Sequence, residues 1–146
     1  PAEHVTTIDH DMELPTKVLN PEREFKGQKF VHNKADKSTW SDFRIPGFKC
    51  RDTTIAENTK NVAGVQVVRP NGSAIKPSKH DCDILFNFVM EGKMTLTASG
   101  QPSNELTSGD AFVIPPDLST EYSNLSKDLE LLEVSLPGKF KTYYDA

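Results

Sequence analysis

The chain has 146 residues, of which 36% are hydrophobic and 26% are charged, and its formal net charge at pH 7 is -4. A chain of this length folds as one domain that buries roughly two-thirds of its unfolded surface. No apolar run reaches the roughly 18 residues of a membrane-spanning helix, and the mild excess of acidic residues gives no electrostatic reason to expect nucleic acid. Neither a membrane nor a nucleic acid is therefore expected as a partner.

The first 40 residues are polar and irregular. They predict an N-terminal arm over residues 1–40, which provides an edge strand or a dimer contact, ahead of a β domain over residues 41–146. The arm has no apolar signal segment, which predicts a cytoplasmic protein. The chain starts at Pro1 instead of Met, and two interpretations stay open: removal of the initiator methionine, or excision of a domain from a longer chain.

Short apolar runs alternate with turn signals through the rest of the chain. Glycine and proline mark the breaks, as in Pro70-Asn-Gly72 and Ser108-Gly-Asp110. No segment keeps a helical apolar period over three turns, and many short strands at this spacing are typical of a sandwich or barrel. The two cysteines, Cys50 and Cys82, are too few for a disulfide-stapled scaffold. The predicted strands cover residues 43–50, 62–68, 84–90, 94–97, 111–114 and 129–136.

The glycine and proline spacing resembles the two-motif signature of the cupin superfamily. The first family motif reads Gly, five residues, His-x-His, three or four residues, Glu, six residues, Gly. In this chain Gly72 is followed by five residues, Ser78-Lys-His80, four residues, Leu85, six residues and Gly92. The spacing of the first motif is therefore kept, although the residues at its ligand positions are changed.

The second family motif reads Gly, five residues, Pro-x-Gly, two residues, His, three residues, Asn. Here the same positions hold Gly109, Pro115-Pro-Asp117, Thr120 and Asn124. The resemblance, to small single-domain RmlC-like members in particular, covers roughly residues 43 to 140. It implies an all-β fold, the double-stranded β-helix (jelly roll) of the cupin barrel, with the arm as an N-terminal extension. It also implies a homodimer, in which arms are exchanged between subunits.

The family's chemistry is expected to differ here. Cupin enzymes usually hold a divalent transition metal with two His and a Glu from the first motif and one His from the second. At those positions this chain has Ser78, Leu85 and Thr120 beside a single retained His80. Hydroxyls are poor ligands for such ions and leucine is none, so no metal cofactor is expected. The one alternative is a zinc-like site made by His80 with Cys82 or Asp83, either of which could face the interior.

The resemblance places a ligand pocket at the mouth of the barrel, around these motif positions. Asn87 lies two residues after Leu85 and shares its inward face, and its amide needs partners there. Tyr122 follows Thr120 by two residues and faces the pocket or packs in the core. Glu133 is interpreted as lying on a strand face that meets solvent or a partner chain. The predicted pocket residues are Ser78, His80, Leu85, Asn87, Thr120 and Tyr122.

Several functions are compatible with a pair of cupin motifs that keep their spacing but lack most of the metal ligands. The leading interpretation is a metal-free cupin that binds an unknown small molecule as an accessory or sensing module. The alternative is a metal-independent isomerase, epimerase or lyase that uses His80 as acid or base with Tyr122 as its partner. A metal-dependent oxygenase with atypical ligands ranks third, and a structural or oligomerisation domain of a larger chain remains a further hypothesis.

Overall fold

The structure is a computed structural model that describes residues 20 and 22–145. The chain divides into two units, residues 1–30 and 31–146. In the first unit, strands β1 (Glu24–Phe25) and β2 (Gln28–Lys29) form an antiparallel hairpin. The predicted arm lies partly outside the described residues, so its roles as edge strand and dimer contact stay predictions.

The second unit is nearly all β, which confirms the predicted fold class. It contains a single-turn 3-10 helix, Ala35–Lys37, and a single-turn helix α1, Ile55–Asn58. No helix in the described part of the chain is long and apolar enough to cross a membrane. The strands are β3 (Ser41–Asp42), β4 (Phe48–Asp52), β5 (Gly64–Pro70), β6 (Ser78–His80), β7 (Ile84–Glu91), β8 (Lys93–Ala98), β9 (Asn104–Thr107), β10 (Ala111–Val113), β11 (Thr120–Ser123), β12 (Glu130–Leu136) and β13 (Thr142–Tyr144).

These strands form two antiparallel sheets with many crossovers. The larger has the order β10-β7-β12-β5-β4-β3 and the smaller the order β13-β6-β11-β8-β9. Neighbours such as β7 and β12 are distant in sequence, whereas β8 and β9 form a hairpin. Two such sheets face to face, joined by crossovers, are the jelly-roll architecture. The strand predicted over residues 129–136 is confirmed as β12, which begins one residue later, at Glu130.

The core lies between the two sheets and follows the two-residue period of strands. Along β12, residues alternate strictly between half-buried and buried, and the buried set is Leu131, Glu133 and Ser135. The smaller sheet contributes Tyr122 and Met94 from the opposite side. Ring contacts connect the two sheets, because Phe48 packs edge-on against Tyr122 with ring centroids 5.6 Å apart. This packing fixes which side chains face the interior.

A row of polar side chains crosses the inner face of the larger sheet. Asp52 pairs with Gln66, Gln66 pairs with Glu133, and Glu133 pairs with Asn87 across the three ladders. Residues directly opposite in a ladder share one face, so Asn87, Glu133 and Gln66 lie on the inner face, and the row ends at Asp52, which is exposed. An interior polar row is unusual in a core, because each member needs a hydrogen-bond partner.

Candidate functional site

His80, the one retained ligand of the first motif, is buried and fixed by the backbone. Its Nε2 lies 2.8 Å from the carbonyl oxygen of Ile114, and its Nδ1 accepts a hydrogen bond from the backbone N–H of Cys82 at 3.2 Å. In a neutral ring these partners require the proton on Nε2, which donates to Ile114. Both ring nitrogens are therefore engaged in holding β6 against neighbouring loops.

The sequence left open whether Cys82 or Asp83 faces the interior beside His80, and the structure shows that it is Cys82. Cys82 is buried and its sulfur lies 3.1 Å from Nδ1 of His80, whereas Asp83 is exposed. Burial raises the pKa of the Cys82 thiol to about 11, although the charge of Arg44 acts to lower it. A thiol of this kind stays protonated at neutral pH, and the protonated form is a poor metal ligand.

The four motif positions do converge in space. Ser78, His80, Leu85 and Thr120 line one narrow space between the sheets. This space also holds Tyr122, but nowhere is it wide enough for a water molecule. The structure therefore brings together five of the six predicted pocket residues, and at this point the barrel is packed.

Two buried polar side chains in this interior have no hydrogen-bond partner among the described residues. One is Asn87, whose amide oxygen and nitrogen both lack a partner, and the other is Tyr122, whose hydroxyl lacks one. Asn87 shares the buried face of β7 with Leu85, as predicted. Burial raises the pKa of Tyr122, with Glu133 adding to the effect and Arg44 opposing it. Orphaned buried groups are rare in folded proteins, and these two are energetically unfavourable as they stand.

Arg44 enters the interior from the loop between β3 and β4 and pairs with Glu133. Its Nε donates to Oε1 at 3.1 Å and its Nη2 to Oε2 at 2.8 Å. The prediction that Glu133 meets solvent or a partner is thus wrong. The inner face of β12 carries this carboxylate, and its burial is tolerated because a guanidinium matches both oxygens. Burial alone would lower the pKa of Arg44, but the charge and hydrogen bonds of Glu133 raise it.

A cavity of about 110 Å³ is lined by Glu133 but not by Arg44. Glu133 and Ser135 of β12 and Gln66 of β5 line it from the sheet. A water molecule needs only about 10–15 Å³ by this measure, so the cavity has room for several waters or one small molecule. Its other lining residues are Asp52, Ala56, Gly64, Gly138, Lys139 and Phe140.

This cavity is not the predicted pocket, because none of the six predicted pocket residues lines it. Gln66 and Ser135 are polar residues within apolar strands, which makes them visible in the sequence, but alternation does not say which face they occupy. The strand predicted over residues 43–50 begins later than expected, because β4 starts at Phe48 and Arg44 lies in the loop before it, where the sequence gives no signal of its direction.

A divalent metal of the kind found in cupin enzymes does not fit these residues. The described part of the chain contains no group of three or more His, Cys, Asp or Glu side chains positioned to hold an ion. At the motif positions, both nitrogens of His80 are already engaged with the backbone, and a hydroxyl or methyl group replaces each other ligand. The one buried carboxylate among the described residues, Glu133, is bound to a guanidinium.

The fold and the site together define a small jelly-roll barrel whose interior holds an ion pair in place of a ligand set. Residues 64–135 match the family model of the cupin domain. The chain belongs to the cupin superfamily. The comparison with curated proteins found no match.

Solved structures of cupins superpose on most of the chain. An RmlC-like cupin from Shewanella frigidimarina has a TM-score of 0.58 at 16% identity, covering 77% of this chain and 96% of that one. A nucleoside dehydratase from Streptomyces gives 0.63 at 11%, covering 80% and 92%. The polyketide cyclase RemF from Streptomyces resistomycificus gives 0.63 at 19%, covering 82% and 86%. At these identities the likeness shows the shared fold alone.

Proposed function

We propose that this chain is a metal-independent cupin that binds a small polar molecule beside Glu133 and acts as an accessory or sensing module. The observation that carries the proposal is the 110 Å³ cavity whose floor contains the buried side chains of Glu133 and Ser135. A concave site with a few convergent polar groups is the usual form of a small-molecule site. The predicted cytoplasmic location is kept in the proposal, and both cysteines are free, as expected in a reducing compartment.

The lining of the cavity favours a ligand with several hydrogen-bonding groups. Gln66 offers both a donor and an acceptor, and Ser135 offers a hydroxyl. At the rim, the exposed side chains of Asp52 and Lys139 carry opposite charges, and Phe140 supplies an apolar surface. A small polyol or a zwitterion such as a free amino acid matches this combination, whereas a purely apolar molecule would leave the polar floor unpaired.

The enzymatic alternative, with His80 as acid or base, has less support. A catalytic base must reach the proton that it removes, directly or through one water. Both nitrogens of His80 face backbone groups, and the space around its ring admits no water. Two of the similar structures are enzymes, a dehydratase and a cyclase, which keeps catalysis as an alternative. Catalytic roles for His80 and Tyr122 therefore stay predictions.

A ligand screen with matched variants tests the proposal. Monosaccharides, free amino acids and small carboxylates are added to untagged protein, and the shift in Tm is measured, followed by calorimetry for any compound that stabilises. Gln66→Leu should abolish binding because it removes both hydrogen-bonding groups from the cavity wall. Gln101→Leu makes the same chemical change at an exposed turn and should leave binding intact. Binding that survives Gln66→Leu, or a stoichiometric transition metal in the untagged protein, would overturn the proposal.

We also propose that the outer face of the larger sheet binds a second copy of the chain. Most outward residues of β7 and β12 are apolar too, and Phe86 and Phe88 of β7 lie opposite Val134 and Leu132 of β12. Glu130, which pairs with Arg69, is the charged exception at one end of β12. Strands that are apolar on both faces are normally covered on both. Exposed Ile84 and Val113 lie on this surface. Val113→Lys should shift the mass measured by light scattering from dimer to monomer, whereas Val62→Lys, at an exposed loop position, should not.

A further inference from the structure

Arg44 lines the same narrow space as all four positions of the metal ligands in the motifs. The strongly basic residues that line this space are Arg44 and Lys79. The side chain of Arg44 is 17% exposed and that of its partner Glu133 is 5% exposed. A cation is thus largely buried where the family motifs converge, and three of the four ligand positions there hold Ser78, Leu85 and Thr120.

The guanidinium is held in one orientation from several directions. Beyond the two bonds to Glu133, Nη1 donates to the hydroxyl of Thr142 at 3.3 Å. The rings of Phe43 and Phe140 each lie with their centroid 5.0 Å from the guanidinium carbon. The loop that carries it is tied down as well, because the hydroxyl of Tyr144 donates to the backbone carbonyl of Arg44. These contacts hold the guanidinium in one position and give it a structural role.

We infer that the Arg44 guanidinium is the fixed interior cation of this barrel, and that it takes the place of the metal ion. A divalent ion at the motif positions would meet this positive charge at short range in a poorly solvated interior, which is strongly unfavourable. The space that the ion and its water would need is also filled. The inference does not depend on which molecule binds in the cavity.

The ion pair also divides the interior. Glu133 lines the open cavity, and Arg44 lines the packed space beyond it. A ligand in the cavity therefore reaches Ser135 and Gln66 but not His80. Arg44 in this way determines which part of the barrel is available for binding, and it keeps the old ligand positions out of reach.

Rebuilding the ligand set with and without Arg44 tests this directly. The first variant carries Ser78→His, Leu85→Glu and Thr120→His beside the native His80. The second variant carries the same three substitutions and Arg44→Gln. Untagged proteins are titrated with Zn²⁺ and Co²⁺, and binding is measured by calorimetry and by the visible spectrum of cobalt. We expect one tight ion per chain only without Arg44, with affinity higher by about 100-fold or more than in the variant that retains it.

Equal affinity in the two rebuilt variants would overturn the inference, because Arg44 would then not exclude the ion. If either rebuilt variant fails to fold by circular dichroism, Thr120→His with and without Arg44→Gln provides the second comparison. Two imidazoles bind Co²⁺ more weakly, and removal of Arg44 should raise that affinity by about tenfold. The same Co²⁺ affinity with and without Arg44 would overturn the inference here as well.

Discussion

Asn87 on β7 lies directly opposite Glu133 on β12, and the two neighbours differ completely in how their polar atoms are satisfied. Both carboxylate oxygens of Glu133 accept from Arg44, whereas neither end of the Asn87 amide has a partner among the described residues. A buried polar group without a partner costs about 1–3 kcal/mol. The row of polar side chains is therefore only partly stabilised by the protein itself.

Asn87→Leu should leave the free energy of unfolding unchanged or raise it by about 1–2 kcal/mol, because an apolar side chain of similar size removes two unpaired groups. Urea denaturation of the ligand-free protein measures this. Asn124→Leu is the control, since the amide of Asn124 donates to the hydroxyl of Thr95 at 3.2 Å and its removal should destabilise. A loss above about 2 kcal/mol for Asn87→Leu would mean that the amide is satisfied by buried water.

The buried pair of Arg44 and Glu133 should show strong energetic coupling. Arg44→Met or Glu133→Leu alone leaves one buried charge uncompensated and should cost about 3–5 kcal/mol, whereas the double variant should recover much of that loss. The exposed pair of Arg69 and Glu130, on the outer face, serves as the matched control. Arg69→Met should cost less than about 1 kcal/mol. Additive losses in the double variant of the buried pair would contradict the prediction.

Stability should fall at alkaline pH because of the buried thiol of Cys82. Its pKa in the folded chain is about 11, against an ordinary value of 9.0. Between these values the unfolded chain loses a proton that the folded chain retains, so stability is fully present below about pH 9 and falls as pH rises to 11. Cys82→Ala should flatten the urea-derived profile from pH 9 upward. Tyr122→Phe should flatten it only above about pH 10. An unchanged slope in Cys82→Ala would contradict this assignment.

The fold was predictable because the glycines and prolines of the motifs mark turns. The backbone of a turn needs these residues whichever side chains lie between the turns. Gly92, for example, has a φ of +80° between β7 and β8, which favours glycine. The inward orientation of Leu85 and Asn87 was also predictable, because strand residues two apart share a face and no irregularity separates these two.

The ion pair was not predictable for two physical reasons. Residues 129–136 are apolar at both parities, with Leu131 on one face and Leu132 and Val134 on the other, so alternation could not say which way Glu133 points. Its partner Arg44 is 89 residues away in the sequence. Arg44 lies in a loop, where no sequence periodicity indicates which way a side chain points. Charge pairs between distant segments are a property of the packed fold.

Gly92→Ala should be much more damaging than the same change at Gly109, the glycine that opens the second motif. A Cβ at residue 92 would lie 2.4 Å from Oγ of Ser126 and 2.7 Å from Cα of Leu129, whereas nothing lies within 4 Å at residue 109. Both positions have positive φ, which costs about 1–2 kcal/mol for alanine. We expect that loss for Gly109→Ala and about 3 kcal/mol or more for Gly92→Ala in urea denaturation. Similar losses would show that the loop near Ser126 yields easily.

His80→Ala separates a structural histidine from a catalytic one. The change leaves the carbonyl of Ile114 and the N–H of Cys82 without their ring partners and creates a cavity, so we expect a loss of about 3–5 kcal/mol in unfolding free energy. Affinity for any ligand of the cavity beside Glu133 should change little, because His80 does not line it. Calorimetry below the lowered Tm checks the second part. A stable His80→Ala protein that has lost ligand binding or turnover would instead support the role of His80 as acid or base.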